Sequence, residues 1–186
     1  MLKKTVVIGI VSLFYVFVLS GCASDKEVSK SNENMHMVHS DVNHSTSGEI
    51  PKGLKVADNP TFQVGSKAIM EDDHMKGMKG AEATIVGAYD TTAYITSYTP
   101  TTGGERVENH KWVIQEEIKD AGDKTLKPGT EVIIEGNHMP GMEGATAEIV
   151  SSEKTTVYMV DYTPITGGEV VKNHKWVTES ELSPVK

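Results

Sequence analysis

Residues 65–118 align with residues 129–182 at a constant offset of 64, without a gap, and 29 of the 54 aligned positions are identical. A duplication of this kind constrains the fold more than any single motif. Whatever a ~60-residue unit folds into must be made twice. Units of that length bury little of their own surface and are marginal alone. The two copies are therefore expected to share an interface.

Strand signals dominate within a copy. Ser66–Glu71 and Thr130–Glu135 read as a first strand. In 81–86, Ala81, Ala83 and Ile85 alternate with Glu82 and Thr84, the period of a half-buried strand. Tyr89-Asp90-Thr91 reads as a turn, and 92–98, rich in β-branched and aromatic residues, as a third strand. Thr99-Pro100-Thr101-Thr102-Gly103-Gly104 reads as a turn. One or two last strands follow, broken near Asn109, and 115–119 closes the unit as a helical turn. The expected fold is all-β: two tandem small antiparallel SH3-like barrels, at 61–120 and 127–186, after a disordered tether.

The chain starts with an export signal, residues 1–21. Lys3 and Lys4 precede an apolar run that is too short to span a bilayer and ends at Leu19-Ser20-Gly21-Cys22. Those four residues resemble the lipobox of bacterial lipoproteins. The resemblance implies cleavage before Cys22 and a lipid on its sulfur, anchoring the chain to the outer face of the cell membrane of a Gram-positive bacterium. Cys22 is the only cysteine, so no internal disulfide forms. Residues 22–60 read as a flexible, lipid-anchored tether. Within it Met35, His36, Met37 and His39 cluster, with His44 nearby. Loss of Lys3 and Lys4 takes the net charge from −8 to −10. An acidic body argues against nucleic acid as a partner.

The chemistry concentrates in one loop. His74-Met75-Lys76-Gly77-Met78-Lys79-Gly80 recurs as His138-Met139-Pro140-Gly141-Met142-Glu143-Gly144. Imidazole and thioether are ligands for a soft ion, Cu(I) or Ag(I), in a chain that has no free thiol. The loop glycines permit the positive φ angles a tight ligand loop needs. Asp72 and Asp73 are replaced by Gly136 and Asn137, so a carboxylate-rich site is not duplicated, whereas His74, Met75, Met78 and His138, Met139, Met142 are. A core-packing role for the methionines competes with ligation.

A second group is Asn109-His110-Lys111-Trp112 and Asn173-His174-Lys175-Trp176. On a regular strand His110 and Trp112 share a face, as do His174 and Trp176. An indole face there would help to hold a cation, unless Trp is simply the core anchor. Tyr94, Tyr98, Tyr158 and Tyr162 read as packing residues. No catalytic triad, acid/base pair, phosphate loop or dinucleotide fingerprint appears, and the chain is not expected to be an enzyme.

His-Met-x-Gly-Met-x-Gly-Ala, Tyr-Thr-Pro-x-Thr-Gly-Gly-Glu and Asn-His-Lys-Trp-Val, twice over behind a lipobox, resemble the YdhK family of Gram-positive lipoproteins, related to the CopL lipoproteins of copper tolerance. The resemblance implies an extracellular copper sink, with a copper exporter or the cell wall as partner. The competing expectation is a wall- or partner-binding adhesion module that presents a groove of Tyr and Trp and holds no metal.

Overall fold

Two strands of 17 residues each, Glu82–Tyr98 and Thr146–Tyr162, run the length of the molecule and pair antiparallel with each other. They are equivalent segments of the two repeats. In this computed structural model, which describes residues 45–186, every other strand attaches to one of them, except the last, which pairs with a neighbour of the first. The elements are β1 (Lys55–Val56), β2 (Lys67–Met70), β3 (Glu82–Tyr98), β4 (Val107–Ile114), β5 (Glu131–Ile133), β6 (Thr146–Tyr162), β7 (Val171–Thr178) and β8 (Leu182–Pro184). Short 3₁₀ turns, Gln115–Glu117 and Glu179–Glu181, follow β4 and β7.

The sheet order is β5-β6-β3-β2-β8, with β1 and β4 also on β3 and β7 also on β6. All pairings are antiparallel. The chain is all-β, as the alternation predicts. The sheet does not close, so the halves are open sheets where closed barrels were expected. No described helix is long and apolar enough to cross a membrane. The signal at 1–21, the lipidation site Cys22 and the Met35, His36, Met37, His39 cluster lie outside the described residues.

Three sequence expectations are corrected. Tyr89-Asp90-Thr91 is not a turn but the middle of β3, where Thr91 faces Thr155. The strand runs on because its second half has a partner, the first half of β6. The repeats, secondly, are not packing units. One apolar cluster joins Ala68, Met70, Met78, Ala83 and Ile85 of the first repeat to Tyr158, Val160, Tyr162, Val177 and Leu182 of the second. The other joins Ile134, Met142, Ala147 and Ile149 of the second repeat to Tyr94, Tyr98, Val113 and Ile118 of the first. Each core thus takes the front of one repeat and the back of the other. Strand β8 of the second repeat pairs with β2 of the first, and Ile118 bridges Ile134 in the matching place.

The third correction concerns the end of the tether. Residues 45–60 lie on the sheet. Thr46 N donates to Lys172 O at 3.0 Å, Thr46 Oγ1 to Asn173 O at 2.6 Å, and β1 pairs with β3. Ala57 is buried and Leu54 packs against the third apolar cluster, around Trp112 and Trp176. These apolar side chains and backbone hydrogen bonds give this stretch the burial that a solvated linker lacks.

Candidate metal centre

The loop that carries His74 is shaped by its own backbone. Met78 N donates to Met75 O (3.1 Å), Ala81 N to Met78 O (3.0 Å) and Gly80 N to Met70 O (2.7 Å). The second copy repeats all three bonds. Gly77 and Gly141 have φ of +82° and +77°. A Cβ on Gly77 would meet Thr166 Oγ1 at 2.6 Å, and one on Gly141 would meet Thr102 Oγ1 at 2.5 Å. Ile165 N donates to Gly77 O and Thr101 N to Gly141 O. Each His-Met loop therefore sits on the Pro-Gly-Gly turn of the other repeat, as close as a missing side chain allows.

This crossing decides what surrounds the histidines. His74 Nε2 lies 2.8 Å from Glu181 Oε1, and His138 Nε2 lies 2.7 Å from Glu117 Oε1. The second carboxylate oxygen is held from two sides. Trp112 Nε1 and Thr178 N donate to Glu181 Oε2 at 2.8 and 3.0 Å. Trp176 Nε1 and Ile114 N donate to Glu117 Oε2 at 3.1 and 3.2 Å. Both glutamates are buried, 4% exposed for Glu117 and 6% for Glu181. Each reaches back to the backbone N–H that opens its 3₁₀ turn, in the manner of a capping glutamate three residues on. Burial alone would raise the Glu181 carboxyl; hydrogen bonds from His74, Thr178 N–H and Trp112, with the charge His74 carries when it is protonated, outweigh it and hold the group below its ordinary value.

A carboxylate on Nε2 fixes the imidazole tautomer. With the proton on Nε2, a neutral ring keeps its lone pair on Nδ1. Nδ1 of His74 and Nδ1 of His138 are both buried and make no hydrogen bond among the described residues. Beside each stands a second imidazole from the other repeat. The His74 and His174 rings are 6.5 Å apart, and the His110 and His138 rings 6.3 Å. The Nε2 atoms of His110 and His174 are buried as well. Tyr98 meets His110 edge-on at 5.8 Å, and Tyr162 meets His174 edge-on at 5.7 Å. Burial, together with the charge of Asp73, pushes the Tyr162 hydroxyl up to about 12, so it stays neutral.

The structure brings together His74, His174 and Trp112 in one cluster and His138, His110 and Trp176 in the other. His110 and Trp112, expected on one face of a strand, serve different clusters. The β4 ladder shifts register between Tyr94 and Thr96, and Asn109, at φ +53°, breaks the alternation. Asn109 N is anchored on Ser97 Oγ, and Asn173 N on Asp161 Oδ1. Asn tolerates this left-handed geometry better than most residues. The thioethers face the core. Met78 and Met142 are fully buried in the two apolar clusters, and Met75 and Met139 pack against them half-buried. The tryptophans anchor the core, one of the two roles considered for them, and their indole N–H groups donate to the two glutamates, which the sequence did not suggest.

Glu117 and Glu181 were missed as site residues. Their signal was present, since Glu117 is the one residue of Gln115-Glu116-Glu117 that repeats unchanged in Glu179-Ser180-Glu181.

The clusters differ at their edges. In the first, Lys111 Nζ pairs with Asp72 Oδ2 and with Glu181 Oε1 at 3.2 Å. This pairing holds the Asp72 carboxyl well below the usual range. Burial would lower the Lys111 ammonium, but its two acidic partners raise it. Asp72, His74 and Glu181 also bring three ligand atoms within 4.8 Å of one another. An ammonium already neutralises that trio, and Gly136 stands where a second Asp72 would be. In the second cluster Lys175 Nζ donates to the Glu49 carbonyl, and burial lowers its pKa. A cleft of about 950 Å³ opens there between residues 45–52 and Gly136, His138 and Met139.

An all-β chain whose two sequence copies interleave, each closing a buried imidazole–carboxylate–indole cluster of the other, defines the class: a duplicated, intertwined sheet protein with twin histidine sites. The chain belongs to the family described as "Protein of unknown function (DUF1541)", which matches residues 64–115 and 128–179. It is 62% identical over 179 residues to "Uncharacterized protein YdhK" of Bacillus subtilis (strain 168), covering 95% of this chain and 87% of that one. It is also similar to the crystal structure of a DUF1541 family protein (ydhK) from that species. That match has 70% identity and a TM-score of 0.74, and covers 76% of this chain and 96% of that one. The solution structure of the ydhK C-terminal domain from B. subtilis matches with 74% identity and a TM-score of 0.63, over 66% of this chain and 92% of that one.

Proposed function

We propose that the protein binds a soft metal ion, Cu(I) foremost and Ag(I) with it, and holds it outside the membrane as a lipid-anchored sink. It binds and does not catalyse. The observation that carries this reading is the pair of buried Nδ1 atoms on His74 and His138, each unbonded while its Nε2 is committed to a buried glutamate. Metal-ligating histidines almost always donate the other ring N–H to such a partner. His174 and His110, whose rings lie 6.5 and 6.3 Å from those of His74 and His138, would supply second imidazoles. Met75 and Met139, half-buried on the same loops, are the thioether candidates, and Met78 and Met142 would join only by turning out of the core. Delivery to a copper exporter and lipidation at Cys22 belong to the same proposal.

The adhesion reading loses its binding surface. Every described aromatic residue (Phe62, Tyr89, Tyr94, Tyr98, Trp112, Tyr158, Tyr162 and Trp176) is buried, which leaves no exposed Tyr and Trp groove for a wall polymer.

The test is anaerobic titration of residues 45–186 with Cu(I) against a competing chelator. Binding that is lost in a His74→Gln, His138→Gln double variant, with fold retained by circular dichroism, supports the reading. Undiminished affinity in that variant refutes it. Loss only in Met75→Leu, Met139→Leu would move the primary ligands to the thioethers.

A further inference from the structure

The contact between the repeats is two-fold in its chemistry. Ala83 faces Tyr162 while Tyr98 faces Ala147, and these are equivalent pairs at the offset of 64. At the centre Thr91 faces Thr155, its own counterpart. What the first repeat offers the second, the second offers back. His74 and Trp112 bind Glu181; His138 and Trp176 bind Glu117. Gly77 takes the turn at Thr166; Gly141 takes the turn at Thr102. Such a self-complementary surface is isologous, the kind that joins two identical chains. Here it joins two halves of one chain.

The stretch between the repeats is slight. Residues 119–128 run mostly exposed over the surface, held by Gln115 Nε2 to the carbonyls of Gly122 (2.8 Å) and Lys124 (3.2 Å) and by Leu126 N to the Tyr94 hydroxyl (3.1 Å). None of the pairings above depends on which chain supplies the partner repeat.

We propose that the repeat is a self-pairing unit, and that a second copy of this chain can replace the repeat joined in cis. Two chains then exchange halves about residues 119–128. Each metal cluster is rebuilt between chains, with His74 and Trp112 from one copy and Glu181 and His174 from the other. The site is thus incomplete without a partner repeat, whatever its source. A short link holds its two ends at an effective concentration on the order of mM. Dilute chains therefore pair in cis, and exchange competes only when chains refold at comparable concentration.

The experiment denatures the intact chain and refolds it at concentrations from micromolar to millimolar. Light scattering and indole N–H spectra are then recorded. The expected result is a dimer share that grows from about 0.1 per cent to roughly half across that range. The dimer keeps both Trp112 and Trp176 indole signals in their monomer positions and does not revert on dilution. A parallel measurement places a protease site after Gly122 in the full chain and cuts it after folding. The two pieces are expected to remain one particle with both indole signals intact. Monomer alone at every refolding concentration, or cut pieces that part as separately folded repeats, overturns the proposal. This outcome is independent of metal, so the copper reading and the pairing reading fail separately.

Discussion

The crossing of the repeats makes Glu181→Gln an informative substitution. Glu181 belongs to the second repeat, but its carboxylate accepts from His74 and Trp112 of the first, besides Thr178 N and Lys111. Glutamine keeps one acceptor oxygen and turns an NH₂ toward either the imidazole N–H or the indole and backbone N–H groups. At least one buried donor then loses its acceptor. Hydrogen bonds to charged groups contribute about 1.5–3 kcal/mol each, and breaking a buried ionic pair costs about 3–5 kcal/mol. We expect a loss of about 3 kcal/mol, which lowers Tm by roughly 6–12 °C for a body of this size. The assay is urea unfolding followed by fluorescence, with indole N–H spectra of the folded variant. Trp112 and Trp176 are the only tryptophans, so the two signals can be assigned by single substitution. The Trp112 signal, distant in sequence, should move, while Trp176, five residues away, stays. Movement of Trp176 alone, or a loss below about 0.5 kcal/mol, would refute the crossed arrangement.

Other outcomes follow from the same geometry. Gly77→Ala and Gly141→Ala should each cost more than Gly103→Ala, whose Cβ would meet nothing. All three pay for a positive φ, about 1–2 kcal/mol, so the excess measures the clash with Thr166 or Thr102 in thermal unfolding. Asp72→Asn should cost less than about 1 kcal/mol in urea unfolding, because the Asp72–Lys111 pair is partly exposed. Burial, helped by Glu179, pushes the Tyr158 hydroxyl up to about 12. A raised folded-state pKa gives stability that is complete below the unfolded value near 10 and is lost as pH rises toward 12. Alkaline unfolding should follow that window, and Tyr158→Phe should weaken the pH dependence.

The sequence carried the duplication, the strand alternation, the Pro-Gly-Gly turns and the break near Asn109, all of which are local signals. Interleaving left no local trace. Whether the segment after Thr91 folds back on its own repeat or runs on beside the other depends on a partner 64 residues away, and both readings use the same alternation. The histidines were legible because a ring nitrogen repeated among glycines has few other uses. The thioethers were harder, since Met78 and Met142 are as well suited to a core as to an ion. Glu117 and Glu181 went unread because an acid in a charged turn looks solvated until the fold buries it.

Thr91 and Thr155 mark the place where the molecule meets its own copy. The gene repeats one stretch of text, but no stretch of that text corresponds to a half of the molecule. Of the substitutions written in the first copy, some fall in one core and some in the other. The two copies have become co-authors of each site, and neither can be edited, lost or replaced without altering what its sibling builds.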